Sequence, residues 1–306
     1  MKVKKLALEL NYEPNQRAIS FQQKKSFSIG VILPELSEAF FSAAISGIED
    51  MAGKHNYSVL LGQSHDDEKR EKQIAENMKK HPVDGLIVSI AKNTENYQHF
   101  DVFKRLNIPV LFFDRIPNLE NIHSVSCNME AGTVQAVNFL LDNKHLSIGM
   151  INGPEKLFAS QQRREGYAKA MMARNKLFTP DLVVPSDLTK EGTQRAMAKL
   201  LALPNKPTAV IVFNDYVALD AIQYARQKNI KINEDITFVS FANLPLCSYM
   251  DFAPLASIEQ FPYEQGQNAA STIFSLLNRN LQSPETMVYQ TIRMETKLVL
   301  NNRGID

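Results

Sequence analysis

The side chains able to do chemistry in this sequence stand just beyond apolar, β-type runs. Phe40 and Phe41 follow Ser28–Leu33, and Asp114 and Arg115 follow a run that ends at Phe113. Asn152-Gly153-Pro154 leads through Phe158 and Ser160 to Arg163. Asn214-Asp215 follow Ala209–Phe213, and Asn243 follows Thr237–Phe241. Rings, amides, carboxylates and a guanidinium gathered in one cleft make a recognition site. Such a set suits a small polyhydroxylated or heterocyclic ligand, stacked on a ring and hydrogen-bonded at its edge. Each residue also has a plainer role. One of the paired phenylalanines can plug a core, so one ring is expected inward and one toward the cleft. Asp215 alone reads as a helix N-cap.

Bond-making chemistry has no comparable support. The sequence holds no Gly-x-Ser-x-Gly elbow, no phosphate-binding glycine-rich loop and no dinucleotide fingerprint. His55, His65, His81, His99, His123 and His145 are scattered, mostly at polar helix ends. Cys127 and Cys247 are far apart and lack metal-ligand spacing. Neither an enzyme nor a cofactor or metal site is expected.

Elements that alternate almost throughout the chain must position these residues. Candidate strands are Ser28–Leu33, Tyr57–Gly62, Gly85–Ser89, Val110–Asp114 and Ser124–Ser126, then Ser147–Asn152, Leu182–Pro185, Ala209–Phe213, Thr237–Phe241 and Ser257–Glu259. Amphipathic stretches separate them: Phe40–His55, Glu68–Lys80, Glu130–Asn143, Gln162–Asn175, Glu191–Leu203, Asp215–Asn229 and Glu264–Asn280. Continuous apolar strands alternating with helices imply parallel sheets covered on both faces. Two sets of units imply an α/β chain with two doubly wound lobes, whose ligands bind beyond the carboxyl ends of the strands.

At 44% hydrophobic and 22% charged residues, the composition is that of an ordinary globular protein. The charge is uneven. Lys2, Lys4, Lys5, Arg17, Lys24 and Lys25 oppose only Glu9 and Glu13, a local net of +4 in a chain whose total is +1. A basic end on a mildly acidic body fits either an arm that touches a polyanion or a solvated terminal helix. No apolar run reaches membrane-spanning length and no secretory signal precedes Phe27, so a cytoplasmic location is expected.

Several short motifs, in order along essentially the whole chain, resemble the lactose-repressor/galactose-repressor (LacI/GalR) family. They are Tyr12-Glu13-Pro14-Asn15 with Ala18 and Ser20, Ser28-Ile29-Gly30-Val31-Ile32 and Gly47-Ile48-Glu49. Val83-Asp84-Gly85-Leu86-Ile87, Ile108-Pro109-Val110 and Phe113-Asp114-Arg115 continue the series. Arg163-x-x-Gly166-Tyr167, Pro207-Thr208-Ala209-Val210 and Asn214-Asp215-x-x-Ala218 complete it. The resemblance implies a DNA-binding regulator with a periplasmic-binding-protein-like core, acting as a homodimer on operator DNA. A stand-alone solute-binding protein of the same fold is the alternative.

By the same resemblance, residues 1–26 are the remnant of a helix-turn-helix headpiece and its hinge helix, without the first two helices. Asn15, Arg17, Ala18, Ser20, Phe21 and Lys24 are then the DNA contacts, with Phe21 as the minor-groove wedge. One lobe is expected over 27–127 with 259–286, the other over 128–258 with 287–306. Arg163 matches the family arginine that grips the ligand, and Asp114, Asn214 and Gln260 match polar cleft positions. Ala242 stands where an aspartate commonly binds ligand hydroxyls. That loss of a negative group leads to an expected effector that is a phosphorylated or acidic sugar.

Overall fold

A computed structural model of the chain describes residues 22–23, 25–278 and 288–301. The expected DNA contacts Asn15, Arg17, Ala18, Ser20, Phe21 and Lys24 lie outside the described residues.

Two sheets organise the molecule. The first uses β1 (Ser28–Leu33), β2 (Ser58–Gln63), β3 (Gly85–Val88), β4 (Val110–Phe113), β5 (His123–Cys127) and β11 (Thr291–Met294), in the order β11-β5-β4-β3-β1-β2. The second uses β6 (Ile148–Asn152), β7 (Val183–Pro185), β8 (Ala209–Val212), β9 (Thr237–Phe241), β10 (Ala256–Glu259) and β12 (Lys297–Leu300), in the order β12-β10-β9-β8-β6-β7. All pairings are parallel except that of β12 with β10. Every residue of β3, β5, β6, β8 and β9 is buried, as parallel strands covered on both faces require.

Eight helices among the described residues cover the sheets: α1 (Ala39–Lys54), α2 (Glu68–Lys80), α3 (Gln98–Arg105), α4 (Met129–Asp142), α5 (Phe158–Ala173), α6 (Lys190–Ala202), α7 (Asp215–Gln227) and α8 (Pro262–Asn278). Helices α2, α4, α6 and α7 start with side-chain caps that take otherwise orphaned N–H groups. Asp67 accepts from Arg70 N at 2.9 Å, and Thr189 Oγ accepts from Gly192 N at 3.0 Å. In α2 the acids Glu68 and Glu71 open the helix and Lys79 and Lys80 close it, matching its dipole. Helix α1 buries Phe40, Phe41, Ala44, Ile45, Ile48 and Ala52, a stripe of helical period.

The structure moves some expected boundaries. Strand β2 begins at Ser58, one residue late, in register with Ser28. Helix α5 begins at Phe158 instead of Gln162, because Leu157 N donates to Pro154 O and the chain turns into the helix there. Helix α3 is short and polar outside Phe100 and Phe103, which hid it. The last lobe boundary also shifts. Thr291–Met294 pairs with β5 in the first sheet and Lys297–Leu300 with β10 in the second, so the third crossing falls at Glu295-Thr296 and not at 286/287. The second crossing falls after Glu259, because β10 ends there in the second sheet. Three chain crossings therefore join the lobes: after β5, after β10 and after β11.

Helices α1 and α8 meet so closely that only glycine fits at the contact. A Cβ at Gly47 would lie 2.1 Å from Tyr263 O, and one at Gly266 would lie 2.0 Å from Ala44 O. Gly53, in the same α1 helix, has no atom within 4 Å of its would-be Cβ. Gly47→Ala is expected to cost about 1–3 kcal/mol through overpacking. Gly53→Ala is expected to be neutral or to stabilise by up to about 1 kcal/mol. Urea denaturation of both variants checks this, and equal midpoints would contradict the packing account.

Candidate ligand-binding cleft

The carboxyl ends of both sheets face one cleft of about 540 Å³, counting the part open to solvent. The first lobe contributes Glu38, Phe40 and Phe41 from the β1–α1 junction, and Asp114 and Arg115 after β4. The second contributes Met129, Ala159 and Arg163 from α4 and α5, Phe213, Asn214 and Tyr216 around the start of α7, and Ala242 and Leu244 after β9. Gln260 joins them from the second crossing. Beyond strand ends the backbone is left-handed at His65 (φ 51°), Asp66 (φ 57°), Asp114 (φ 55°), Ala242 (φ 89°), Asn243 (φ 52°) and Phe261 (φ 52°). Non-glycine residues held in such conformations cluster where a fold aims functional groups.

Arg163 dominates the electrostatics. It is 4% exposed, and its guanidinium carbon lies 4.2 Å from the centre of the Phe213 ring and 4.3 Å from that of Phe241. With two rings packed this close, few directions are left open to its N–H groups. One of them bonds Ala159 O at 3.2 Å, whereas the buried Nε has no partner. Burial lowers the Arg163 pKa to about 10, and the neighbouring charge of Asp114 works against that shift. Arg164, next in sequence, is exposed, so the buried member of the pair is Arg163.

Asp114 is the complementary group. Burial raises its pKa to about 6, while Arg115 and Arg163 pull it back. Arg115 is already engaged: its Nη1 bonds Asp66 Oδ1 at 2.5 Å, and its guanidinium lies 5.8 Å from the Phe41 ring centre. Glu38 is also shifted upward by burial, with Arg115 opposing. The cleft thus offers one guanidinium free of carboxylate contact and two carboxylates held toward their neutral forms. Among the described residues no group of three or more His, Cys, Asp or Glu side chains is placed to hold a metal.

Six of the ten expected ligand contacts border the cleft: Phe40, Phe41, Asp114, Arg163, Asn214 and Gln260. Phe40 and Phe41 do not divide into an inward and an outward ring. Both are buried, both border the cleft, and they meet edge-to-face at 5.3 Å. Asn214 Oδ1 caps α7 by accepting from Val217 N at 2.9 Å, so the cap expected of Asp215 belongs to its neighbour.

Phe158, Ser160, Asp215 and Asn243 do not border the cleft. Phe158 and Ser160 fall in the first turn of α5, where Asn152 Nδ2 donates to Ser160 O at 2.8 Å. Asn243 turns its amide to Glu259 Oε2 at 2.7 Å. Asp215 is fully buried, and its oxygens are taken by Leu244 N at 2.6 Å, Ser257 Oγ at 3.0 Å and Ser240 Oγ. Its carboxylate instead ties the loop that carries Ala242 and Leu244 to α7. The sequence reading missed the apolar lining, Met129, Ala159, Phe213, Tyr216 and Leu244, whose residue types carry no ligand signal.

Residues 26–296 match the pattern of the family described as periplasmic binding proteins and sugar binding domain of LacI family. The HTH-type transcriptional repressor CytR of Escherichia coli strain K12 is 32% identical over 272 residues, covering 88% of this chain and 78% of that protein. A putative ribose operon repressor from Burkholderia thailandensis superposes with a TM-score of 0.80 at 25% identity, covering 90% of this chain and all of that one. The structure of a transcriptional regulator CelR–cellobiose complex superposes with a TM-score of 0.79 at 21% identity, over 97% of this chain and 88% of that one.

Asp114 carries a stability consequence. Its folded pKa of about 6 lies above the ordinary 3.8, so the folded state holds the proton more tightly than the unfolded chain. Stability is therefore lost as pH rises from about 4 to about 6, and is level above that. Asp114→Asn removes the loss. In calorimetry the ligand-free variant is expected to melt above the parent at about pH 7, with a smaller gain at about pH 5. A variant no more stable than the parent at neutral pH would contradict the burial account.

Proposed function

The chain belongs to the LacI family of periplasmic-binding-protein-like regulators, and from that premise we propose that it is an effector-responsive, DNA-binding transcription regulator. Its interlobe cleft binds a small sugar-like ligand and so controls operator binding. Membership makes it a binding protein rather than an enzyme. One observation carries the ligand reading: a buried guanidinium without a carboxylate partner and a half-buried carboxylate share one cleft lined by both lobes.

A hydroxyl satisfies both groups at once. It accepts from Arg163 and donates to Asp114, and the apolar face of a sugar ring packs on Phe40 or Phe41. The acidic or phosphorylated sugar expected from Ala242 fits less well. Glu38 and Asp114 also face the cleft, and an anion would meet both. We therefore favour a neutral polyhydroxylated compound, in keeping with the family's sugar-binding description.

Because the ligand touches both lobes, it favours the arrangement in which both are present, and that difference is what can drive a switch. Contacts between the lobes flank the cleft. Lys92 Nζ donates to Asp187 O at 3.0 Å, Lys156 pairs with Glu95, and Tyr216 of the second lobe packs against the first lobe's core cluster. In this reading lobe closure repositions the arm ahead of Ser26, with Asn15, Arg17, Ala18, Ser20, Phe21 and Lys24 on the DNA of a homodimer. Symmetric half-sites require two copies. The setting is the cytoplasm, and among the described residues no helix is long and apolar enough to cross a membrane.

Thermal-shift screening of neutral sugars, sugar phosphates and purines tests the ligand reading. A neutral sugar is expected to stabilise the parent, and Arg163→Ala should cost about 2–5 kcal/mol of its binding. A hydroxyl that donates to Asp114 needs the carboxylate ionised. Affinity should therefore be full at about pH 7.5 and fall as pH drops through about 6. Affinity that rises on acidification, or equal stabilisation of Arg163→Ala, would overturn it.

A further inference from the structure

Two backbone N–H groups ahead of β1 are gripped by one distant carboxylate. Asp84 lies in the turn Val83-Asp84-Gly85 that leads into β3. Its Oδ1 accepts from Ser26 N at 2.7 Å and Ser26 Oγ at 2.9 Å, and its Oδ2 accepts from Phe27 N at 3.0 Å. The grip is returned by the backbone. Asp84 N donates to Ser28 O at 2.8 Å, and Ser58 N donates to Phe27 O at 2.9 Å. Hydrogen bonds to an ionised carboxylate are the stronger kind.

The gripped residue is strained. Phe27 has φ 54°, a conformation that bulky side chains rarely adopt. A relay of rings holds it there. Phe27 tilts against Tyr57 at 5.5 Å, Tyr57 meets Phe274 of α8 edge-on at 5.1 Å, and Phe274 stacks on His55 at 4.0 Å. The β1 ladders with β2 and β3 begin at Ser28 and Ile29, immediately after this residue. Strain held by so specific a set of partners points to a task at that position. Immediately ahead stand the exposed Gln22, Gln23 and Lys25.

We propose that Asp84 is a positioning residue that fixes the direction in which the chain leaves the first lobe at Ser26. The purpose rests on the regulator reading: an arm that reports lobe position to DNA must be joined rigidly to one lobe. The clasp lies at the amino ends of β1 and β3, opposite the cleft, so it can transmit a lobe movement without touching ligand.

A single cysteine introduced as Gln23→Cys and labelled with a fluorophore tests the clasp in the full chain, since Cys127 and Cys247 are both buried. Time-resolved anisotropy should show the label turning with the whole molecule in the parent. In Asp84→Ala, nanosecond segmental motion should take over about half of the amplitude or more. Asp84→Asn keeps one neutral acceptor and should fall between the two; it also decides the matter if Asp84→Ala does not fold. A merely structural aspartate would lower the melting temperature without freeing the label. The clasp is refuted if the label is already mobile in the parent, or stays slow in both variants. Neither measurement involves DNA. A mobile parent label would refute the clasp and leave the regulator reading, whereas an immobile label in a chain that no effector stabilises in the thermal-shift screen would count against the regulator reading and leave the clasp.

Discussion

A buried guanidinium packed against two phenyl rings has few ways to satisfy its donors, and that constraint shapes this molecule. The ring centres of Phe213 and Phe241 lie 4.2 Å and 4.3 Å from the Arg163 guanidinium carbon, and the rings displace water from it. Ala159 O supplies one acceptor. Arg163 borders the cleft, where Asp114 influences it by its charge without making an ion pair. An arrangement this costly in desolvation persists when a ligand completes it.

The rest of the fold serves to hold that guanidinium against the opposite lobe. Asp215 fastens the loop after β9 to α7 through Leu244 N, Ser240 and Ser257, which fixes Ala242 and Leu244 as the apolar floor. Leu244 and Ala242 pack with Phe40 and Phe41 in one cluster, so the lobes share apolar contact beneath the polar groups. Three crossings join the lobes, each leaving the carboxyl end of a strand: β5, β10 and β11. Such a junction permits the lobes to rotate about a line through the site with little change inside either sheet.

Sequence made the alternation and the strand ends legible because buried parallel strands write continuous apolar runs, such as Val31-Ile32-Leu33 or Ala209–Val212. Since ligands sit beyond those ends, Phe40, Phe41, Asp114, Arg163 and Asn214 could be placed by position alone. Gln260 came only from the family resemblance. What stayed hidden depends on distant partners. Asp66 engages Arg115 from 49 residues away. Asp215 looks like a cap until Ser240 and Ser257 arrive from other strands. Edge strands β11 and β12 are half exposed and short, so their apolar content is too thin to stand out. Phe158 and Ser160 misled because Pro154 starts the helix turn early and draws them out of the strand-end loop.

The central claim is that Arg163 is completed by the ligand. The Nε–H resonance of that arginine reports on it directly, because the atom is buried and lacks a protein acceptor. Nitrogen-15 arginine spectra recorded while titrating neutral sugars are expected to show this one resonance moving and saturating with a compound that also raises the melting temperature. A compound that stabilises the protein while the Arg163 Nε–H signal stays in place would contradict the account.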